Sequence, residues 1–430
     1  MTKGYLPYRD FFDMKGPWLF FFEYISQLIY YGRTGVFLLQ CVNLGIVLFF
    51  CQKIYTRYFG GRRIVGSLCM LLPLYVIISS TMEGGNLTEE WSLSFIFISL
   101  YFSLEFIMGE ETEHKPKYAL IYGICFGILA LIRIINAVMI GAIVMTITVY
   151  LVKEHKWKNL LINALAFLFG VFVSFIPPLL YFGHFGEIIN MLYCTFVFGY
   201  IYGTEGFGIG TGGLFLLSLL WSVIVLLIIK NRNIKMQLLI ILNTVGMSIT
   251  LGMGNSSLHD YVLIVPGVML GEWVLVEKWR KNEIGIKREV LVTVLSVICF
   301  AYPCYKMAGA GIDIVRQSRD TTLYDHVVET GECIPEEEKK SVWGYEVPLR
   351  WYTITDIVPY NKYCGWQEHY MRLSPEIEKE IKIMLEETPP KWIVTKTSAI
   401  IENKIVITQL KNNYHIFKEN EDCRLYRRNN

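Results

Sequence analysis

A mainly α-helical, polytopic membrane protein of about ten transmembrane helices with a small C-terminal α/β soluble domain is the fold class this sequence predicts, and three observations carry the expectation. The 430 residues are 53% hydrophobic and their mean hydropathy is +0.39, too apolar for a chain whose whole surface meets water. Apolar runs of spanning length recur as far as position 306. Charge is then concentrated beyond them: residues 308–430 hold 17 of the 40 Lys/Arg and 20 of the 38 Asp/Glu. The net charge of only +2 gives no reason to expect nucleic acid as a partner.

The runs lie at 35–52, 64–81, 91–108, 118–133, 136–152, 159–180, 213–229, 236–252, 260–277 and 289–306. Some are short for a span, and only Ile134 and Ile135 separate the fourth from the fifth. Orientation follows from the short loops. One set carries Lys53, Arg57, Arg62 and Arg63, then Lys115 and Lys117, Lys153, Lys156 and Lys158, Lys230, Arg232 and Lys235, and finally Lys278 to Arg288; the other set carries Arg133 alone. The positive-inside rule makes the first set cytoplasmic and puts the C-terminal domain outside the plasma membrane. Three parts result: residues 1–33, a partial first outer loop with an interfacial helix; 34–307, the transmembrane helical domain; and 308–430, the extracytoplasmic α/β domain.

Within the last part, SVWGYE, KWIVTK, NYHIF and CRLYRR read as strands, and PEIEKEIKIMLEE as an amphipathic helix closed by Pro389 and Pro390. The aromatic, glycine-rich loop 181–212 predicts a surface helix over 186–201. Of ten cysteines, seven sit in or beside apolar stretches as small hydrophobes, and Cys333, Cys364 and Cys423 permit one disulfide without requiring any.

Four constellations hold the residues that carry chemistry. GYLPYRDFFDMKGPW displays Arg9, Asp10, Asp13 and Lys15 just before a Pro-led apolar segment, read alone as a rim of interfacial anchors. MEGGNLTEEW gathers Glu83, Glu89 and Glu90; here Asn86 or Thr88 is the expected helix cap, and the first-turn carboxylates suit the helix dipole. Arg133 with Asn136 stands at a helix end, where a guanidinium either holds a phosphate or snorkels to the interface. His259, Asp260 and Tyr261 form the fourth group, a lone His being more often structural than a proton carrier.

The runs GYLPYRDFFDMKGPWLFFF, EGGNLTEEWSLSF, LIRIINA and HDYVLIVPG, followed by VWGYE and the closing LYRR, resemble bacterial membrane glycosyltransferases of the GT-C superfamily, in the protein-mannosyltransferase and aminoarabinose-transferase-like group. The resemblance covers nearly the whole chain through loose motifs. It implies an inverting transferase that moves a sugar from a polyprenyl-phosphate donor to a glycan, lipid or protein acceptor on the outer face, with a carboxylate base and Lys/Arg at the departing phosphate. By that likeness Asp10, Asp13, Glu89 and Glu90 are the candidate catalytic carboxylates and Lys15, Arg9 and Arg133 the phosphate ligands. Glu83, Asn86, Asn136, His259, Asp260 and Tyr261 then line the substrate pocket. No cofactor is implied, and a divalent metal is left open. In the family a span and a leading acidic residue precede the first loop, so Met1 is expected to be an internal methionine. The rival readings are a multi-span transporter or lipid-linked sugar flippase, with charges nearer mid-bilayer, and an inactive fragment lacking its base.

Overall fold

The computed structural model describes residues 1, 4–59, 85–204, 222, 223, 226, 233–252, 258–280 and 322–429. The runs expected at 64–81 and 289–306, nearly all of 213–229, and Glu83 lie outside the described residues. The chain divides into two compact units: Met1, Lys3–Asp13 and Asp313–Asn430 form one, and Thr2 with Met14–Ile312 the other.

The larger unit is helical. Its elements are α1 (Pro17–Ile29), α2 (Arg33–Tyr58), α3 (Thr88–Met108), α4 (Pro116–Arg133), α5 (Val138–Lys153), α6 (Trp157–His184), α7 (Ile234–Gly252) and α8 (Val265–Arg280). A stretch over 188–204, between α6 and α7, is also helical, with a π turn at Tyr193–Phe198. Five helical runs of the described residues are long and apolar enough to cross a membrane: Arg33–Tyr58, Thr88–Met108, Pro116–Lys153, Trp157–His184 and Ile234–Leu251. The third is two antiparallel helices. Arg133 leaves α4 with an extended backbone (φ −163°, ψ 116°), and the 3-10 turn Ile134–Ala137 reverses the chain. Phe106, at the end of α3, accordingly meets both His114 before α4 and Tyr150 near the end of α5, at ring separations of 5.2 and 5.5 Å.

Packing ranks these helices. The most apolar stretch of α3 is 67% buried and that of α6 only 17%, so α3 is central and α6 presents most of its surface outward. One side of α6 nevertheless packs closely on α4. Gly123 and Gly127 of α4 face Gly170 and Ser174 of α6, a parallel pairing of small residues that brings backbones together. The α2–α3 pair is also parallel, Gln40 and Asn43 reaching Glu90 while Arg57 reaches Glu105 and Tyr101.

The C-terminal end of α3 is closed by Lys235, whose Nζ donates to Phe106 O (2.8 Å), Gly109 O (3.0 Å) and Glu111 O (2.9 Å). A cation there satisfies carbonyls that the helix itself leaves unpaired. At this same end, buried His114 is fixed by Asn163 and Tyr122.

The smaller unit holds α9 (Thr322–Glu332), α10 (Arg350–Thr355), α11 (Gln367–Leu373), α12 (Pro375–Glu387) and α13 (Lys404–Asn413) with β1 (Val342–Tyr345), β2 (Trp392–Lys396), β3 (Tyr414–Glu419) and β4 (Cys423–Arg428). The sheet order is β1-β2-β4-β3. The β1–β2 pair is parallel, Val342 opposite Trp392, and the other pairs are antiparallel. Every residue of β1 is buried, as expected of a strand covered on both faces. Ser374 caps α12 by accepting from Ile377 N, with Pro375 at the first helical position. Residues 4–13 belong to this unit: Leu6 and Tyr8 are buried, and Phe12 N donates to Lys362 O. The seven described cysteines, Cys333, Cys364 and Cys423 among them, are thiols.

One half-buried pair here predicts a pH response. The Asp422 carboxylate, 2.7 Å from His326 Nδ1, holds that imidazole above its usual pKa of 6.5. A raised folded-state value means the pair's stabilisation is complete below pH 6.5 and is lost as pH rises through the folded value. Opening of α9, followed by hydrogen exchange corrected for intrinsic rates, should therefore become easier between about pH 6 and 8. Asp422→Asn should abolish that dependence; an unchanged profile would count against the pair's role.

Candidate active site

Gly16 fixes the geometry at one end of the helical unit. Its N–H donates to Ile132 O at 2.9 Å, and a Cβ there would overlap Leu131 O, so only glycine lets this segment lie against the last turn of α4. Pro17 then starts α1 at the first helical position. Half-buried Lys15 precedes this contact, and Arg133 is the residue that ends α4. The carbonyl end of a helix favours a cation at that place.

Arg133 joins two of the sequence constellations. Its Nη1 donates to Glu89 Oε1 and to Asp260 Oδ1, both at 2.7 Å. The Glu89 and Asp260 side chains are 1% and 6% exposed, that of Arg133 34%. Both bonds leave from Nη1, and no hydrogen bond within the described residues uses Nη2 or Nε of Arg133. The guanidinium is thus anchored from one corner by two carboxylates while its remaining N–H groups stay available to an anion. Thr88 Oγ1 donates to Glu89 Oε1 at 2.7 Å. Fully buried Asn136, from the turn after α4, donates through Nδ2 to Ser92 Oγ at 2.9 Å, and its Oδ1 has no hydrogen-bond partner. His259 and buried Tyr261 flank Asp260 on the 3-10 turn Leu258–Ile264.

Glu90 points elsewhere. Successive helix residues are about 100° apart, and its Oε2 accepts from Gln40 Nε2 (2.8 Å) and Asn86 N (2.9 Å), tying α3 to α2 and to its own entry loop. Neither expected cap is formed: Leu87 holds the capping position and makes no side-chain cap bond. Thr88 is already spent on Glu89, and Asn86 donates to Glu23 Oε1 and accepts from Trp91 Nε1. The side chain at the third helical position thus does the work of a cap by reaching back to the entry loop.

Arg9, Asp10 and Asp13 lie in the other unit. Arg9 and Asp10 form a bidentate pair, Nε to Oδ1 at 2.9 Å and Nη2 to Oδ2 at 2.8 Å, and Leu6 N donates to Oδ2 at 2.7 Å. The adjacent guanidinium holds the Asp10 carboxyl below its usual pKa. A weakened and fully engaged carboxylate makes a poor proton acceptor. Asp10 is therefore a brace for its own loop. Sequence reading named Thr88 only as a helix cap and missed Ser92 and Gln40; the spacing of Thr88 and Ser92, one helical turn apart beside Glu89, was the available signal. No group of three or more His, Cys, Asp or Glu able to hold a metal occurs among the described residues.

No family model matches the chain, and no curated protein sequence is significantly similar to it. Solved structures are. The crystal structure of ArnT from Cupriavidus metallidurans bound to undecaprenyl phosphate matches with a TM-score of 0.59 at 11% identity, over 96% of this chain and 87% of that one. Its apo form matches with a TM-score of 0.57, also at 11% identity, over 96% and 88%. A likeness spanning both units at so low an identity is a likeness of architecture. The fold of this chain is similar to that of ArnT.

Proposed function

We propose that the chain is an inverting membrane glycosyltransferase that moves a sugar from a polyprenyl-phosphate donor to an acceptor hydroxyl on the outer face. The observation that carries this reading is Arg133, held at one bundle end by Glu89 and Asp260 with its other N–H groups available. The ArnT fold supports it, since one of the ArnT structures is bound to undecaprenyl phosphate. Sidedness follows from charge. The opposite end of the bundle carries Arg57, Lys115, Lys117, Lys153, Lys156, Lys158 and Lys235, the cytoplasmic signature, so the Arg133 end faces outward.

In this mechanism the acceptor oxygen attacks the anomeric carbon from the face opposite the phosphate, and the bond from that carbon to the phosphate oxygen breaks. A carboxylate takes the acceptor's proton, and the lipid phosphate leaves with the bonding electron pair. Lys15 and Arg133 offset the charge that develops on that phosphate. Asp13 is the base we assign in the first segment, because Asp10 is committed to Arg9 and Leu6. Glu89 and Asp260 orient Arg133, with Asn136, His259 and Tyr261 beside the sugar.

Membranes carrying the chain, incubated with radiolabelled polyprenyl-phosphate sugars, should transfer label to an endogenous acceptor. Lys15→Ala and Glu89→Ala should each reduce transfer about 10²-fold or more. Absence of turnover by the wild-type chain with every donor, or transfer that survives both substitutions, would overturn the reading.

A further inference from the structure

Residues 4–13 and 322–429 fold as one piece although more than 300 positions separate them. Leu6 and Tyr8 are only 2% and 3% exposed, and Phe11 packs against the core that contains Trp351, Trp392 and Leu425. Phe12 is held most firmly. Its N–H donates to Lys362 O at 2.8 Å, and its ring centroid lies 5.2 Å from those of Tyr363 and Tyr370, in tilted and edge-on contacts worth having between aromatic rings.

The receiving surface is itself fixed. Tyr363 OH donates to Glu380 Oε2 of α12, and Tyr363 O accepts from Trp343 Nε1 and Gln367 Nε2. The same Gln367 Nε2 donates to Gly344 O, so the start of α11, strand β1 and the Tyr363 backbone form one bonded frame. Ten residues bury too little surface to order themselves alone. Their order comes from this frame. The loop adds its own brace, with Asp10 bonded to Arg9 and Leu6 N, and Tyr8 N donating to Phe11 O at 2.8 Å. Asp13 follows immediately.

We infer that residues 322–429 are a clasp that fixes the backbone of the loop carrying Asp13, with Phe12, Tyr363 and Tyr370 as its positioning residues. The structural half of this inference stands on the contacts alone; the functional half rests on the glycosyl-transfer reading. Fixing Phe12 by a backbone bond and two rings leaves a single residue of freedom before the Asp13 carboxylate. A displacement of about 1 Å at such a group costs on the order of 10²-fold in rate.

The test uses the full chain in lipid nanodiscs with two readouts. By hydrogen exchange, amides of residues 4–13 should be protected in the wild type and exchange at least about tenfold faster in Phe12→Ala, with those of α12 unchanged. Tyr370→Phe, which keeps the ring, should retain the protection. In the transfer assay Phe12→Ala should lower kcat at least about tenfold with donor KM within about twofold, and Tyr370→Phe should keep kcat near wild type. Unprotected amides at 4–13 in the wild type, or protection unaffected by Phe12→Ala, would overturn the clasp whatever the activity. A protected loop whose release leaves kcat unchanged would overturn its positioning role. A wild-type chain without transfer, yet with the protection pattern intact, would remove the glycosyltransferase reading and leave the clasp standing.

Discussion

Arg133→Ala is expected to lower the stability of the helical unit by about 3–5 kcal/mol, the cost found when one partner of a buried ion pair is removed and the rest is left uncompensated. What remains is the reason. Glu89 and Asp260 each lie within 2.7 Å of the same guanidinium nitrogen, so its removal takes from two nearly unexposed carboxylates the cation they share. Such a pair can relieve itself only by taking up a proton, by admitting water or by moving apart. Arg133→Lys keeps the charge but replaces a planar fork by a point charge, and is expected to retain most of the stability while losing transfer. The diagnostic comparison joins Glu89→Gln and Asp260→Asn to Arg133→Met: neutralising all three members should recover much of the thermal midpoint lost in Arg133→Ala, without recovering transfer. The measurement is thermal unfolding in detergent alongside the transfer assay. An Arg133→Ala protein that melts with the wild type would mean that the two carboxylates are satisfied by other groups, and the site would need a different centre.

Sequence legibility varied with the range of the interaction. The strands of the smaller unit were readable because VWGY, WIVTK and CRLYRR combine β-branched and aromatic residues between turn signals. The helix Pro375–Glu387 was readable because Ser374, Pro375 and the following Pro389 and Pro390 mark both of its ends. Helices α9, α10, α11 and α13 went unassigned, although Asn403, whose side chain accepts from Ile405 N and Val406 N, was a usable start signal for α13. All three members of the ion cluster were named from the sequence, but in separate constellations, since nothing local links Arg133 to a carboxylate 127 positions away. Glu89 and Glu90 were indistinguishable for a different reason: both suit the first turn of a helix, and only the rotation between neighbours decides which one meets Arg133. His114, in a charged stretch that reads as a loop, gave no sign of being buried against Asn163. The assignment of residues 4–13 to the smaller unit was the least legible feature, because it depends on Lys362, Tyr363 and Tyr370 at the far end of the chain.

Gly170→Val should be at least as damaging as the loss of Arg133, by a mechanism with no electrostatics in it. A Cβ at Gly170 would overlap Leu120 O and come within 2.8 Å of Ile124 N, both backbone atoms of α4 that cannot rotate away. The opposing Gly123 would in turn overlap Phe167 O, and Gly127 the Ser174 side chain. With small residues on both sides of the crossing, relief requires the two helices to separate along their contact. In a bilayer the association of helices depends on close van der Waals packing rather than on exclusion of water, so separation forfeits the very term that holds them. Overpacking alone costs about 1–3 kcal/mol; valine adds two further methyl groups to a Cβ that already does not fit, so a loss at or above the top of that range is expected. The control is Gly141→Ala on α5, where an added Cβ meets nothing within 4 Å and the better helix propensity should be neutral or favourable by up to about 1 kcal/mol. Thermal unfolding of both variants in one detergent separates the explanations. Equal losses would point to a general intolerance of substitution in these helices, whereas a large loss confined to Gly170→Val is the signature of two backbones in contact.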